Sequence, residues 1–549
     1  MFKKHLIVLV IGTILLLSGF ALDAYNISDY TMATYRINSY DGTKIVFDVL
    51  RARDTPDDAN LVILLHGFSM NRGSMRLLGY ALAYRGFISV LVDLRGHGDS
   101  EGSLRSQNFT EVIDVLAKDV RAVIDYLKKS GVGNPYNISV IGHSMGGEIA
   151  IYLGYKYDDI LISVGISPAL AKNFVNMTKP KHLIIVGSYS DRVVTKDMVI
   201  ETFKASINDT VEIGRIYNYG DAVRELYFDE DSTHLTIIYD KDVLNLVSTR
   251  LFQIIYMPYD HIAEFEPIKF LIPPTLIMIG IVIIVIAFTP LLSMAWRMKI
   301  SREEIFPMYG GDLIKLVIES VIITGVLGGL FGVLILLILS TFLPLLSTNF
   351  IIGLLLGNAI SLTLISKKYI ARYREQPISL RNHLMGIFLK NVDGDSIRLY
   401  LLYTSILVLL IQVTFGSYLI SIVSSNILRI ILIPLYLIIY VIIFSQDESF
   451  FRYVIRKGLG YGLRNSTISL LINVIVKITS LVIQIIFISV ITGISMFFLL
   501  SSLILVIPLI ILSIIFSESL FEHMSRWFPQ ILINATIFAI YTTTISPII

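Results

Sequence analysis

The sequence predicts a protein of two parts: a mostly parallel α/β sheet with helices on both faces, joined to an all-α part built of membrane-spanning helices. Three observations predict it. Of 549 residues, 54% are hydrophobic and 16% charged, against about 45–50% and roughly 25% in soluble globular proteins, and the mean hydropathy is +0.71. The excess is uneven. Charges are frequent between Tyr25 and Pro267, whereas from Phe270 onward apolar runs recur at the length, roughly 18 residues or more, that a helix needs to cross a bilayer. Within the charged half, short β-branched runs alternate with stretches of helical spacing, the pattern of parallel strands joined by crossover helices.

The net charge of +2, with no basic stripe, suits no nucleic-acid partner, and the absence of cysteine excludes disulfides, thiolate metal sites and cysteine nucleophiles. At the N-terminus a basic Met1–His5 precedes an apolar Leu6–Leu22. The bulk of Leu22 fits a small-residue cleavage site poorly, so residues 1–24 are read as a signal anchor rather than a cleaved signal peptide. Residues 25–268 then form an extracytoplasmic α/β domain and residues 269–549 a membrane domain of about eight helices.

In the α/β half, "ATYRINSYDGTKIVFDVL" reads as a hairpin turning at Asp41-Gly42. Strands follow at Leu61–Gly67, Ile88–Gly96, Ile138–Ser144, Ile160–Ser167, His182–Ser188 and Arg224–Phe228. Their apolar runs are continuous rather than alternating, which suits strands buried on both faces. Helical spacing occupies Ser74–Tyr84, Phe109–Lys129, Gly146–Tyr157 and Thr195–Ile207, and "VEIGRIYNYGDAVRELYF" reads as an additional hairpin. Only Pro168–Lys181 separates two of the strands, too little for a large helical cap.

The expected spans are Ile272–Leu292, Leu313–Phe342, Phe350–Ile365, Leu399–Val423, Ile427–Phe444, Ile468–Ser489, Ile494–Phe516 and Ile531–Ile549. Basic residues collect in alternate connections: Arg297, Lys299 and Arg302, then Lys367 to Arg398, then Arg452 to Arg464, then Arg526. The turns near Ser347, Ser424 and Thr492 are nearly uncharged. Positive charge collects on the cytoplasmic side, so the α/β domain faces out, and Lys3 and Lys4 give the same orientation. Five Asn-x-Ser/Thr sites, at Asn26, Asn108, Asn137, Asn176 and Asn208, all fall in the α/β half. Two charges lie inside spans, Glu319 and Lys477: either Glu319 sits within a turn or two of the cytoplasmic surface and Lys477 snorkels, or the two meet as a buried pair.

Chemistry in such sheets gathers at the carboxyl ends of strands, where His66, Asp93, Ser144 and Asp191 fall, with His234 just beyond the last strand. The stretch "GHSMG" at Gly142–Gly146 sets Ser144 on a strand-to-helix turn so tight that side chains at its glycines would collide. A serine hydroxyl needs a base and a group to orient that base. His234, in "DEDSTHLTII", is the candidate base, and Asp191, in "VGSYSDRVV", the candidate orienter. Backbone N–H groups of Phe68 and Met145 are placed to hold a developing oxyanion. His66, His97 and His143 read as structural. The acidic run Asp229–Asp231 reads as a solvated loop rather than a calcium site, and His261 with Glu264 and Glu266 as a membrane-proximal linker.

These motifs, "HGF" at His66–Phe68, "DLRGHGDSEG" at Asp93–Gly102, "GHSMGG" at Gly142–Gly147, "SYSDRVV" at Ser188–Val194 and "THL" at Thr233–Leu235, resemble the α/β-hydrolase superfamily. Its serine aminopeptidase and monoacylglycerol-lipase-like branch is the nearest in motif. The resemblance covers about Thr34 to Tyr256. It implies hydrolysis of an acyl bond through an acyl-serine, without metal or cofactor. A membrane-tethered serine esterase acting on a small-molecule or lipid acyl substrate at the lipid bilayer is the leading expectation. A serine peptidase of aminopeptidase type and a transporter or channel carrying a sensory or vestigial hydrolase domain are the alternatives.

Overall fold

The computed structural model describes residues 2–548 apart from 105–107, 169, 257–262, 296–309, 374–393, 419–424, 461, 493–495, 497–498, 501–502, 504–505 and 525–527. The chain forms two compact units. One comprises Gly19–Thr275, Thr414–Asn426 and Thr544–Ile549; the other comprises Met1–Ser18, Leu276–Val413 and Ile427–Thr543.

The first unit is built on nine strands: β1 (Tyr30–Asn38), β2 (Lys44–Ala52), β3 (Asn60–Leu65), β4 (Ile88–Val92), β5 (Asn134–His143), β6 (Ile160–Ile166), β7 (His182–Ser188), β8 (Ile216–Tyr219) and β9 (Ala222–Asp229). They lie in the order β1-β2-β4-β3-β5-β6-β7-β9-β8. The six strands from β4 to β9 run parallel, while β1–β2, β2–β4 and β8–β9 are antiparallel. Helices α2 (Arg76–Tyr84), α3 (Phe109–Ser130), α4 (Met145–Lys156), α5 (Lys196–Lys204) and α6 (Lys241–Tyr256) accompany them, and α1 (Phe2–Ile27) precedes them.

Strand periodicity explains the two cores. Leu61, Ile63 and Leu65 enter one apolar cluster and Val62 and Leu64 the other, because successive side chains leave opposite faces of the sheet. Both faces are covered, so β3 is buried along its whole length. The hairpin expected at Asp41-Gly42 is present: Gly42 has φ +85°, its N–H donates to the Ser39 carbonyl, and Thr43 N–H donates to Asp41 Oδ1. The additional hairpin is β8–β9, turning at Gly220 with φ +62°. Between β6 and β7 the described residues hold only a short 3-10 turn, Lys172–Phe174, and no helical cap.

The second unit is helical. Its described helices, in full range, are α7 (Ile268–Ala295), α8 (Gly310–Phe342), α9 (Leu346–Tyr373), α10 (Gly394–Tyr418), α11 (Ile427–Glu448), α12 (Leu463–Thr492), α13 (Ile507–Met524) and α14 (Phe528–Ile545). Six helices among the described residues are long and apolar enough to cross a membrane: Lys3–Ile27, Ile268–Met294, Gly311–Phe342, Leu346–Tyr369, Ile427–Arg456 and Arg464–Thr492. The expected spans Leu399–Val423 and Ile494–Phe516 fall partly outside the described residues. Close packing of α8 on α9 rests on glycine: a Cβ at Gly332 would sit 3.1 Å from the Gly353 carbonyl, and one at Gly353 2.7 Å from that of Gly332.

Three expectations for this unit are corrected. The last helix stops at Ile545, not Ile549, because Pro547 has no N–H to continue the ladder and disfavours helix at the residue before it. Arg452 and Arg456 do not lie in an open loop. A π-helical turn, Ser449–Arg456, buries them, and Arg452 pairs with Glu448 and Glu518 while Arg456 pairs with Glu518 and Glu522. Finally, Glu319 and Lys477 do not meet. Glu319 pairs with Lys368 on α9 at 2.9 Å, and Lys477 with Asp447 at the end of α11 at 2.8 Å. Sequence depth alone does not say which helix face a charge occupies.

Candidate active site

β5 delivers Ser144 at its carboxyl end. The serine sits between strand and α4 with φ +52° and ψ −121°, a strained backbone for a residue with a side chain. Its glycines make this possible. A Cβ on Gly142 would run into the Gly146 carbonyl, and one on Gly146 into the backbone of Leu65 and His66. The turn therefore closes tightly and holds the Ser144 side chain clear of the sheet edge.

The two other predicted side chains arrive from strands beyond β6. Asp191 follows β7 and His234 follows β9. The three form one hydrogen-bonded row: His234 Nε2 lies 3.0 Å from Ser144 Oγ, and His234 Nδ1 lies 2.7 Å from Asp191 Oδ2. The other carboxylate oxygen, Asp191 Oδ1, accepts from the N–H groups of Val193 at 2.8 Å and Val194 at 2.9 Å. Burial alone would raise the Asp191 carboxyl, but hydrogen bonds and attraction from His234, with the two amides, outweigh it and hold the group below the usual carboxylate range. An ionised Asp191 requires His234 to carry its proton on Nδ1, which leaves Nε2 free to accept from the serine.

His143, read from sequence as structural, supports His234 directly. Its Nε2–H donates to the His234 carbonyl at 2.8 Å, and the two rings lie 4.9 Å apart. Burial, then repulsion from His234, pushes its pKa down to about 3, so it stays neutral beside that ring. Sequence reasoning missed this contact because position 143 precedes the serine inside a strand, where a histidine looks like core. Ser188 also steadies the loop, its hydroxyl donating to the Ser232 carbonyl at 2.5 Å, two residues before His234.

The predicted oxyanion donors stand beside the row. A Cβ on Gly67 would lie 3.4 Å from Ser144 Cβ, so the loop carrying Phe68 runs along the serine turn. Met145 is the first residue of α4, where backbone N–H groups have no partner within the helix. Neither the Phe68 nor the Met145 N–H has an acceptor among the described residues. His66 shapes this loop instead of acting as a base: its Nδ1–H donates to the Gly67 carbonyl at 2.8 Å and its Nε2 accepts from Leu94 N–H at 3.1 Å. Burial, opposed by Asp93, holds its pKa below the ordinary histidine value.

Behind Phe68 stands the loop after β4. His97 lies 5.9 Å from the Phe68 ring, edge to face. Asp93 accepts from the Arg72 backbone N–H at 2.7 Å and pairs with its guanidinium, which also reaches Asp99 at 3.0 Å. Two segments of the same unit, far apart in sequence, grip this loop. Ser425 N–H donates to Asp99 Oδ1 at 2.6 Å and Asn426 Nδ2–H to the Ser100 carbonyl at 2.9 Å. Ile548 exchanges hydrogen bonds with Gly96 at 2.8 Å and Leu104 at 2.9 Å. Gly96 has φ +74°, and a Cβ there would lie 2.9 Å from the Ile548 carbonyl. No sequence signal pointed to these contacts.

The remaining sequence candidates have other partners. Asp229 accepts from Ser232 N–H at 2.7 Å, and Glu264 and Glu266 pair with Lys241 at 2.8 and 3.0 Å. His261 lies outside the described residues. Among the described residues no group of three His, Cys, Asp or Glu side chains is placed to hold a metal ion.

Residues 56–220 match the family model described as serine aminopeptidase, S33. An AB hydrolase superfamily protein, YisY, of Bacillus subtilis is 32% identical over 149 residues, which cover 26% of this chain and 48% of that protein. A thermostable monoacylglycerol lipase of Bacillus sp. is 30% identical over 146 residues, covering 26% and 55%. An esterase of Pyrococcus furiosus of known structure aligns over 43% of this chain and 96% of its own, at 21% identity and a TM-score of 0.34. The chain spans about half the length of the curated relatives it matches. The sheet unit has the α/β-hydrolase fold, and its match is to a family of hydrolases.

Proposed function

We propose that the protein is a membrane-tethered serine hydrolase that cleaves acyl esters, lipid-derived ones among them, outside the cytoplasm. The observation that carries this reading is the row Ser144–His234–Asp191 beside two backbone N–H groups with no acceptor among the described residues. His234 Nε2 takes the Ser144 proton as Oγ attacks the ester carbonyl. The N–H groups of Phe68 and Met145 receive the resulting oxyanion, and each such donor contributes roughly 3–4 kcal/mol in related chemistry. His234 then gives its proton to the leaving alcohol, forming the acyl-serine, and a water activated by the same nitrogen releases the acid. Asp191 stays ionised throughout and stabilises the transient imidazolium.

Ester rather than peptide cleavage is favoured by the relatives named monoacylglycerol lipase and by the short β6–β7 segment, which leaves room for an acyl group presented from a bilayer. The family description favours an aminopeptidase as the second reading. In the proposed topology, residues 1–24 anchor the chain, residues 25–268 form the exported hydrolase domain and residues 269–549 form the membrane domain, with basic loops inside. That Ser425 and Asn426, from a nearly uncharged turn, belong to the unit of the sheet supports an outward-facing site. A panel of p-nitrophenyl esters and aminoacyl p-nitroanilides tests the substrate class. Ester turnover that Ser144→Ala abolishes supports the proposal; turnover of the anilides alone selects the peptidase.

A further inference from the structure

The helical unit places polar side chains where a simple anchor would place leucine. On α11, Arg429, Tyr436, Tyr440 and Asp447 are all buried. Their spacings of seven, four and seven put them on one helix face. From Arg429 to Asp447 this face rises about 27 Å at 1.5 Å per residue, close to the roughly 30 Å of a bilayer's hydrocarbon. On α12, Asn473, Lys477, Ser480 and Gln484 are likewise buried, at spacings of four, three and four. The two faces join where Lys477 Nζ meets Asp447 Oδ2 at 2.8 Å.

Beside this pair is a cavity whose walls include Thr324, Asn358, Asp447, Lys477, Ser480 and Ser513. Measured for the centre of a water-sized sphere its volume is about 10 Å³, room for a single water. Two acceptors along the polar face have no donor among the described residues: Gln484 Oε1 and Asn473 Oδ1, both fully enclosed. Gln484 cannot be relieved by turning its amide, because its nitrogen already donates to the Thr324 carbonyl at 2.9 Å and to Asn358 Oδ1 at 2.6 Å. Lone acceptors above and below an ion pair are positions for a water or hydronium to dwell.

We propose that the helical unit conducts protons along these two faces, with Asp447 as the obligatory proton-binding site and Lys477 as its positioning partner. The cavity is too small for a metabolite, and an ammonium 2.8 Å from the carboxylate repels a metal cation. A proton needs neither space nor a coordination shell. A hydronium on one side gives its proton to the Asp447 carboxylate, forming an O–H bond and loosening the ion pair. The proton then leaves to a water on the other side, and the pair with Lys477 closes again. Among the described residues the charged groups around Asp447 are Lys477 from α12 and, from its own chain segment, Glu448, whose partner Arg452 is shared with Glu518 of α13. Thr324 of α8 and Asn358 of α9 face the cavity as neutral groups. Charged residues within a membrane helix mark proton and ion pathways by default; here the pair also has a water-sized space and acceptors on both sides.

The test uses the full chain in phosphatidylcholine–phosphatidylglycerol vesicles with a pH-sensitive dye inside and a valinomycin-set potassium potential. The wild type should acidify the lumen faster than protein-free vesicles do. Asp447→Asn should fall to the protein-free rate, and Ser144→Ala should conduct like the wild type. Because a lone change at a buried pair can prevent folding, the neutral pair Asp447→Asn with Lys477→Met is measured alongside and should also be silent. A wild type no faster than empty vesicles, while monodisperse by gel filtration, overturns the proposal. So does an Asp447→Asn variant that conducts normally, which would leave the pair as a structural pin between α11 and α12.

Discussion

Replacing Asp191 by asparagine tests whether the hydrogen-bonded row works as a base relay. Asp191 Oδ1 accepts two backbone amides, from Val193 and Val194, while Oδ2 accepts from His234. In Asp191→Asn the amide oxygen must stay on the two backbone donors, since turning it away would leave both unpaired. The NH₂ group then points at His234 Nδ1, which can only accept from it. The ring proton is forced onto Nε2, where it faces Ser144 Oγ as a donor. The loop is preserved and the base is lost. The expected loss in kcat is about 10⁴-fold, or roughly 5.5 kcal/mol at 1.36 kcal/mol per decade. The assay is initial-rate hydrolysis of the best ester in the panel, with gel filtration and thermal midpoint to show that the fold is kept. A variant within tenfold of wild type, roughly 1.4 kcal/mol, would refute the tautomer reasoning and place the orienting carboxylate elsewhere.

Two further outcomes are expected. His143 is neutral in the fold with a pKa near 3, whereas the unfolded chain protonates it near 6.5. Below about pH 6.5 the unfolded state therefore binds a proton the fold does not, so stability falls by about 1.4 kcal/mol per pH unit, or about 2 kcal/mol by pH 5. His66 acts in the same direction, while Asp191, held low, adds its loss only at still lower pH. Pulse proteolysis in urea at pH 7 and pH 5 should show this slope, and His143→Gln should lessen it by one proton; an unchanged slope would contradict a buried neutral ring. In the wall behind Phe68, Asn426→Ala removes the donor to the Ser100 carbonyl. If that contact holds the oxyanion loop in place, kcat should fall roughly tenfold, the worth of a buried hydrogen bond, with KM unchanged; equal kcat would show the segment to be a passive contact.

Much of the sheet unit is legible in the sequence because its signals are local. Ile63 and Leu64 lie in an unbroken apolar run, which points to a strand covered on both sides, and the glycines around Ser144 admit only a tight strand-to-helix turn. The order Ser144, Asp191, His234 follows from the polar residues that come after β5, β7 and β9. Contacts that depend on how distant segments pack were not legible. Depth alone leaves Lys477 either snorkelling or paired with Glu319, whereas its partner, Asp447, lies beyond Phe444, where the apolar run of that span stops. The π-helical turn that buries Arg452 and Arg456 looks like a basic loop when only their charge is read. The bond from His143 to the His234 carbonyl spans 91 positions, and nothing near either residue announces it.

The central claim is that Ser144 is an activated nucleophile. Incubating the membrane-reconstituted full chain with a fluorophosphonate probe, followed by proteolysis and peptide mass spectrometry, measures it most directly. The account expects one phosphonylated peptide, containing Gly142–Gly147, modified at Ser144, with labelling lost in Ser144→Ala and strongly slowed in His234→Ala. Folded wild-type protein that takes up no probe, or that is labelled equally well without Ser144, would contradict it.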